Sequence, residues 1–154
     1  VRIRYSEEPV GALETAGGIA NALPLLGDAP FLVINGDIFC DWDVARARTA
    51  IAAGALAHLV LVTNPEHHPA GDFALLDGEV GAGGTAKAPF SGIGIYRPEL
   101  FAAIGRGQVA KLAPLLDAAM TAGRVSGELH DGRWVDVGTP ERLAALDADL
   151  RHAC

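Results

Sequence analysis

Lysine is nearly absent from this sequence: Lys87 and Lys111 are its only lysines, and the formal net charge of the chain is −7. Proteins that bind the backbone of DNA or RNA need a basic face to neutralise the phosphates. The composition therefore argues against a nucleic-acid partner. It does not argue against a nucleotide ligand, because a divalent cation can bridge protein carboxylates to phosphate groups.

Cysteine is equally scarce, with Cys40 and Cys154 alone. Two cysteines argue against a disulfide-rich scaffold, favour a reducing cytoplasm and by themselves give little support for a zinc site. The apolar runs are short and interrupted by glycine, proline or charged residues, so we expect no transmembrane helix and no membrane partner. No secretory signal pattern opens the chain, and the expected location is cytoplasmic.

Half of the 154 residues are hydrophobic and the mean hydropathy is +0.26, which suits a folded domain with a sizeable core. Strand-like and helix-like segments alternate, which predicts an α/β fold with a mixed, mostly parallel sheet flanked by helices. Strands are expected at 1–5, 31–35, 58–63, 73–76, 92–96, 125–129 and 133–137, and helices at 15–25, 44–53, 98–104, 112–122 and from Pro140. Turns at 77–78 and 131–132 predict two hairpins, and the glycine-rich segment 78–89 predicts a mobile loop.

The chain opens at Val1, without methionine and inside the strand-like segment VRIRY. A natural domain seldom begins in this way. We therefore expect residues 1–154 to be a single domain that lacks its N-terminal portion.

The segment PFLVINGDIFCDWD carries the clearest functional signal. Its apolar run predicts a buried parallel strand that ends at Asn35-Gly36-Asp37, and ligands of α/β sheets bind at such strand ends. Asp136 stands at a similar place in WVDVGTPERL. Two converging carboxylates could share one Mg²⁺ with the phosphates of a nucleotide. The alternative is that both aspartates only cap turns or helices.

Three further features have competing interpretations. Gly17-Gly18 in LETAGGI could let a ligand approach the backbone at a helix N-terminus, or could serve only as a turn. His67-His68 is more typical of an exposed loop than of a metal site. Trp134 is expected to pack in the core or in a hairpin rather than to stack on a base.

Taken together, ETAGGI, LVINGD and WVDVGTPERL resemble the sugar-1-phosphate nucleotidylyltransferases, and the resemblance extends over nearly the whole chain. It implies a Rossmann-like nucleotidyltransferase fold and an enzyme that uses Mg²⁺ to join a nucleoside triphosphate to a sugar 1-phosphate. Longer stretches, such as FSGIGIYRPELF, are most similar to the bacterial N-acetylmuramate α-1-phosphate uridylyltransferases. That subfamily implies UTP and N-acetylmuramate 1-phosphate as substrates, in peptidoglycan recycling.

The resemblance also implies roles for individual residues. Asp37 and Asp136 match the two metal-binding, catalytic aspartates. The residues matched to nucleotide binding are Glu14, Thr15, Gly17, Gly18, Asn35 and Gly36. Those matched to sugar binding are Gly71, Asp72, Ser91 and Gly92.

Two departures from the family pattern affect the expected activity. The phosphate-binding loop, with its arginine and lysine, would precede this sequence and is not in it. The Glu-Lys-Pro element of many members is replaced by EVGAGGTAKAPFSG, in which Lys87 is displaced. We therefore expect residues 1–154 by themselves to have little or no activity, with the upstream segment as a partner.

Other functions remain open at this point. Within the same class, the enzyme could be a mannose-1-phosphate guanylyltransferase or a glucose-1-phosphate thymidylyltransferase. Outside it, the chain could be a non-catalytic module that binds a sugar nucleotide, or a structural subunit that completes the site of another chain.

Overall fold

A seven-stranded mixed sheet organises the fold in the computed structural model, which describes residues 2–8, 11–66 and 68–152. Its strands are β1 (Phe31–Ile34), β3 (Ala57–Val62), β4 (Phe73–Leu76), β5 (Glu79–Gly81), β6 (Lys87–Ala88), β7 (Phe90–Tyr96) and β8 (Val125–His130). They lie in the order β1-β7-β3-β8-β5-β4-β6. Strands β3 and β8 are a parallel pair, whereas β7 runs antiparallel between β1 and β3.

The sheet separates two apolar cores because side chains alternate between its faces. Every residue of β3 is buried. Leu59 and Leu61 belong to the larger core with the aromatic cluster of Phe31, Tyr96 and Phe101, while Val60 faces a smaller core around Trp42. The continuous apolar run of β3 is what a strand covered on both faces requires.

Helices cover both faces of the sheet. The α-helices are α1 (Glu14–Leu26), α2 (Ala47–Ala50), α3 (Ala113–Thr121) and α4 (Pro140–His152), and single 3₁₀ turns form at Val44–Arg46 and Pro98–Phe101. Helices α1 and α3 contribute to the larger core, and α2 packs against the smaller one. Asp43 caps the turn before α2 by accepting a hydrogen bond from the Ala45 amide, and Thr139 Oγ1 accepts one from the Arg142 amide, as the sequence predicts.

A second, two-stranded sheet carries the residues of greatest functional interest. It pairs β2 (Ile38–Cys40) with β9 (Trp134–Asp136) in antiparallel register, so that Ile38 lies opposite Asp136. The Val137 amide donates a hydrogen bond to the Asp37 carbonyl over 2.8 Å. This small sheet therefore holds two distant segments side by side at the end of β1.

Two of the strand predictions need correction. Arg2 to Tyr5 are exposed and form no strand, and Val1 lies outside the described residues. Alternating apolar and charged residues form a strand only where another backbone pairs with them, and no described strand does so here. Strand β1 is also not a buried parallel strand: it pairs antiparallel with β7 at one edge of the described sheet, and only Phe31 is buried.

The two predicted hairpins have different outcomes. Asp77 and Gly78 both have positive φ and join β4 to β5 in a hairpin, as predicted. The turn at 131–132 does not make a hairpin, because β8 pairs with β3 and β5 whereas β9 pairs with β2. The segment 78–89 is not a loop throughout, since β5 and β6 lie within it.

The predicted helix at 44–53 is also shorter, ending at Ala50, because Ile51 adopts an extended backbone. Across the described ranges, no helix combines the length and apolar character needed to cross a membrane.

His58 makes the stability of this fold dependent on pH. The side chain is buried in β3, where Nδ1 is 2.9 Å from Ser126 Oγ, and Nε2 has no hydrogen-bond partner among the described residues. Burial lowers the pKa of His58, and nearby Arg46 lowers it further, while Glu128 acts in the opposite direction. The folded state therefore binds a proton at His58 only at a lower pH than the unfolded state.

We expect acidification from pH 7.5 to pH 5 to reduce the free energy of unfolding. Below about pH 6.5 the unfolded chain takes up a proton at His58 that the folded chain does not, which costs at most about 1.4 kcal/mol per pH unit. His58→Gln should remove this component. Urea unfolding of both proteins at the two pH values measures it, and equal losses in the two proteins would contradict the assignment to His58.

Candidate active site

Asp37 and Asp136 meet at the edge of the two-stranded sheet. Asp37 directly precedes β2, and Asp136 ends β9 opposite Ile38. Gly138 shows how close the two carboxylates lie: a Cβ added there would be 2.9 Å from Asp136 Oδ1 and 3.7 Å from Asp37 Oδ2. Glycine at this position thus lets both carboxylates lie close to the backbone.

Asp136 is oriented by its own neighbours in WVDVGTPERL. The Gly138 amide donates to Asp136 Oδ1 over 2.7 Å, and Arg142 Nη1 donates to Asp136 Oδ2 over 2.6 Å. Arg142 reaches the carboxylate because it lies in the first turn of α4, which begins four residues after Asp136. Sequence reasoning missed Arg142, although a basic residue in the helix turn after a candidate metal ligand is a signal that could have been weighed.

The two aspartates line a cavity of about 340 Å³, here called the acidic cavity. Its other lining residues are Asn35, Ile38, Pro65, His68, Asp72, Pro89, Phe90, Ser91, Gly92 and Trp134. Acidic and aromatic side chains thus surround one space at the end of β1. Such a lining suits a ligand whose negative charge is screened by a cation.

A second cavity of about 500 Å³, here called the apolar cavity, adjoins the acidic cavity. It is lined by Thr15, Val33, Asn35, Gly71, Asp72, Phe73, Phe90, Gly92, Tyr96, Leu112, Ala113 and Leu116. Four residues line both cavities: Asn35, Asp72, Phe90 and Gly92. Burial raises the pKa of Tyr96, so its phenol is uncharged at neutral pH. Each cavity lies in the size range of small-molecule sites.

Asp72 stands on the wall shared by the cavities and is fixed on both oxygens. Its Oδ2 accepts a hydrogen bond from the Phe90 amide over 2.9 Å, and its Oδ1 is 3.0 Å from His68 Nε2. Gly71, which precedes it, has a φ of +63° and lies so close to the Lys87 carbonyl that a side chain would collide with it. A tight turn therefore places Asp72 and His68 at the acidic cavity.

Trp134 lines the acidic cavity rather than packing in a hairpin. Its Nε1 donates to the Ser91 carbonyl over 2.8 Å, which joins β9 to β7. Ser91 is fully buried, and its Oγ accepts from the Ile93 amide over 3.1 Å. Ser91 thus contributes mainly structure to the cavity wall, while Trp134 presents its ring to the cavity.

Comparison with known proteins gives the chain its family. It is 53% identical over 154 residues to N-acetylmuramate alpha-1-phosphate uridylyltransferase of Neisseria meningitidis serogroup B, an alignment that covers 96% of this chain and 67% of that protein. The chain belongs to the sugar-1-phosphate nucleotidyltransferase family. It is also 37% identical over 167 residues to the enzyme of the same name in Caulobacter vibrioides, covering 99% of this chain and 67% of that protein. No family model matches the chain.

Solved structures share the fold. A Bacillus anthracis protein assigned as a glucose-1-phosphate thymidylyltransferase, in complex with sucrose, superposes with a TM-score of 0.71 at 16% identity over 94% of this chain and 63% of its own length. HddC of Yersinia pseudotuberculosis in complex with GMP-PN superposes with a TM-score of 0.69 at 19% identity, over 91% of this chain and 64% of its own length. These matches confirm the α/β nucleotidyltransferase fold. The chain spans about two thirds of the length of the proteins that it matches.

The two cavities bring together eight of the twelve predicted site residues: Thr15, Asn35, Asp37, Gly71, Asp72, Ser91, Gly92 and Asp136. Their binding roles stay predictions. Gly92 has a φ of +84° and faces the Asn35 side chain, so a β-carbon there would be strained. His68 and Trp134 join the site, although the sequence favours a loop and a packing role for them. His67 lies outside the described residues.

Four predicted residues line neither cavity: Glu14, Gly17, Gly18 and Gly36. Gly17 differs most clearly from its predicted role in nucleotide binding. Its amide donates to the Ala110 carbonyl over 3.0 Å, and a β-carbon there would collide with the Gln108 carbonyl. Gly17 therefore lets α1 pack against the 108–110 backbone, and its amide is not available to a nucleotide. Glu14 begins α1 with a φ of +60° and is exposed.

The donors of the acidic cavity fit a magnesium ion. Mg²⁺ prefers carboxylate oxygens, water and substrate phosphates. Asp37 and Asp136 supply two carboxylates, and glycine at position 138 lets both lie close to the backbone, because a Cβ there would be only 2.9 Å from Asp136 Oδ1. Among the described lining residues there is no lysine or arginine, so a bound cation would not compete with one inside the cavity.

Arg142 should weaken divalent metal binding at Asp136 by its charge. Two cations that share one solvated carboxylate repel each other by about 1 kcal/mol. We expect Arg142→Gln to tighten Mn²⁺ binding roughly fivefold, measured by electron paramagnetic resonance of free Mn²⁺. Arg151→Gln, which removes an ion pair with Asp147 at the far end of α4, is the matched control. Weaker Mn²⁺ binding in Arg142→Gln would instead mean that Arg142 chiefly orients the carboxylate.

Proposed function

We propose that the protein transfers a uridylyl group from UTP to N-acetylmuramate 1-phosphate, releasing pyrophosphate, in the recycling of cell-wall sugars. The observation that carries this proposal is the meeting of Asp37 and Asp136 in a cavity that continues into a second one. The relatives with 53% and 37% identity are named for this reaction, which supports UTP and the amino-sugar phosphate over other pairs. Since nucleotide pools are cytoplasmic, we place the reaction in the cytoplasm.

The reaction needs no general base. A phosphate oxygen of the sugar 1-phosphate, already anionic, forms a bond to the α-phosphorus of UTP, and the bond from that phosphorus to the bridging oxygen of pyrophosphate breaks. The electron pair of the broken bond leaves with pyrophosphate. Rate enhancement must therefore come from aligning the two phosphates and from stabilising the charge that develops between them.

The chain supplies alignment through residues at the acidic cavity. Asp37 and Asp136 would hold Mg²⁺, which when bound neutralises phosphate charge and polarises the α-phosphate. Gly138 and Arg142 hold the Asp136 carboxylate in one orientation before substrate arrives. Trp134, fixed by its hydrogen bond to the Ser91 carbonyl, limits the space open to water beside the reacting phosphates.

The two substrates occupy different sides of the joined cavities in this proposal. We assign the nucleotide to the side of Thr15 and Asn35, where α1 begins, and the sugar to the side of Gly71, Asp72 and Ser91. Asn35 lines both cavities, so one side chain is within reach of both substrates. The shared wall allows the sugar phosphate to approach the α-phosphate without leaving the site.

The first test removes one carboxylate charge at a time. Asp37→Asn and Asp136→Asn should each lower kcat by on the order of 100-fold or more, because several kcal/mol of charge stabilisation depends on the metal. Asp28→Asn changes an exposed aspartate in a loop and should leave kcat unchanged. Pyrophosphate release from UTP with N-acetylmuramate 1-phosphate is the measurement, made on the full-length protein.

The same assay separates the alternatives. Faster pyrophosphate release from GTP with mannose 1-phosphate, or from dTTP with glucose 1-phosphate, would replace the proposed substrates. Binding of a UDP-sugar without turnover, with an affinity that Asp37→Asn leaves unchanged, would indicate a non-catalytic module.

His68 should contribute to recognition of the sugar acid. N-acetylmuramate carries a lactyl carboxylate, and His68 is the one basic side chain among the described residues that line the cavities. Because the Asp72 carboxylate only accepts hydrogen bonds, His68 donates from Nε2, and no hydrogen bond from Nδ1 to a described residue is present. A protonated His68 can therefore offer Nδ1–H to the lactyl carboxylate.

We expect His68→Gln to lower kcat/KM for N-acetylmuramate 1-phosphate by roughly tenfold, the worth of one charged hydrogen bond. N-acetylglucosamine 1-phosphate has no lactyl group, so its turnover should change little. His152→Gln, at an exposed position in the last turn of α4, is the control. Equal losses for both sugars would mean that His68 acts only on the shape of the site.

A further inference from the structure

A second cluster of metal-binding side chain types lies at the other end of β2 from Asp37. Cys40 offers Sγ, Asp41 a carboxylate oxygen and His130 a ring nitrogen, and these three atoms all lie within 4.8 Å of one another. Cys40 ends β2, and His130 ends β8. The cluster joins residues that are about 90 positions apart in the sequence, so the fold itself assembles it.

Backbone contacts fix the cluster in place. The Asp41 amide donates to the Arg133 carbonyl over 3.1 Å, which continues the pairing of β2 with β9 by one residue. Asp41 Oδ1 is 2.7 Å from His130 Nε2. The Cys40 thiol lies next to them and accepts a 3.4 Å contact from the Trp42 amide. Three donors of different chemistry are thus held before any ion binds.

Gly132 allows the two donor atoms to lie close to the backbone. A Cβ added at Gly132 would lie 2.5 Å from Asp41 Oδ1 and 2.6 Å from His130 Nε2. A residue with a side chain would fill the space beside the carboxylate and the imidazole. Gly132 was predicted as a turn residue, but it follows Asp131 in a turn that makes no hairpin. A glycine at position 132 therefore permits Asp41 Oδ1 and His130 Nε2 to be held together at this point of the chain.

We propose that Cys40, Asp41 and His130 bind a zinc-class divalent cation, with water in the fourth position. Thiolate, imidazole and carboxylate are the three ligand types of zinc sites, whereas Mg²⁺ takes oxygen ligands only. His130 Nε2 and Asp41 Oδ1 are closer together than two ligand atoms of a tetrahedral site. The hydrogen bond between them must therefore break when both atoms bind the ion. An Asp41–His130 ion pair alone would not account for the third donor at Cys40.

The titration of the ligands is compatible with this site. Hydrogen bonds from the Arg133 backbone and the His130 ring hold the pKa of Asp41 below its usual range, so Asp41 is ionised. Burial raises the pKa of the Cys40 thiol, and the bound cation therefore displaces a proton from it. The affinity for zinc should rise with pH for that reason.

The location gives the site a structural consequence. His130 belongs to the large sheet, whereas Cys40 belongs to the small sheet that carries Asp37 and Asp136. A cation at this cluster would cross-link the two sheets close to the acidic cavity. The melting temperature should therefore rise on zinc binding, since an ion that binds only the folded state stabilises it.

Cobalt(II) titration of the full-length protein tests the proposal, because thiolate coordination gives an intense sulfur-to-cobalt absorption in the near ultraviolet. We expect this band to saturate at one cobalt ion per chain. It should be unaffected by millimolar Mg²⁺ and abolished by one equivalent of Zn²⁺. Cys40→Ser should abolish the band, and His130→Gln should weaken cobalt binding by roughly tenfold or more. Cys154→Ser and Asp37→Asn should keep it, the latter because the proposed magnesium site is separate.

Several results would overturn the proposal. The absence of a charge-transfer band after cobalt is added to the reduced protein, previously freed of metal, would do so, as would a band that survives Cys40→Ser. The melting temperature in chelator shows that each variant is folded. If Cys40→Ser does not fold, the His130→Gln and Asp41→Asn variants test the proposal instead. A cobalt affinity that is unchanged in both variants would also exclude the site.

Discussion

The candidate site depends on the pairing of β2 with β9, which brings Asp37 and Asp136 together from positions about 100 residues apart. Closing a flexible loop of that length costs about 4 kcal/mol of chain entropy, and two facing carboxylates add repulsion. Three residue pairs of a small sheet cannot offset both terms. The large sheet does so, because the fully buried β3 holds β7 on one side and β8 on the other. The acidic cavity is therefore a product of the whole core.

Local signals in the sequence explain why most elements could be predicted and why some could not. The uninterrupted apolar run of β3, the Asp77-Gly78 turn and the Thr139 cap each carry their information within a few residues, and each is confirmed. Asp131-Gly132 has an equally clear local signal, yet β8 leaves the predicted hairpin for a parallel partner some 68 residues away. Burial decides which strands pair with each other, and a few adjacent residues do not reveal how deeply a strand will be buried.

The candidate site shows the same division. Asp37 and Asp136 could be proposed from strand ends and from the resemblance, because their motifs are contiguous. His68 and Arg142 carry weaker signals in the sequence, since the role of each depends on facing a carboxylate in three dimensions. Gly17 and Gly138 illustrate the difference between a local motif and its three-dimensional surroundings. Both stand in motifs, but backbone fills the space beside Gly17, whereas carboxylates border the space beside Gly138. Only the second glycine lies beside groups that could bind a ligand.

Charge explains why the site, as proposed, needs a metal. The described lining of the two cavities contains Asp37, Asp72 and Asp136, with His68 as its one basic side chain. A nucleoside triphosphate and a sugar phosphate would bring further negative charge into the same space. Arg142 offsets part of the charge of Asp136, but it does so from α4 and outside the cavity lining. A divalent cation between Asp37, Asp136 and the phosphates would turn this repulsion into binding, and the proposed reaction would then depend on metal because of the same carboxylates that define the site.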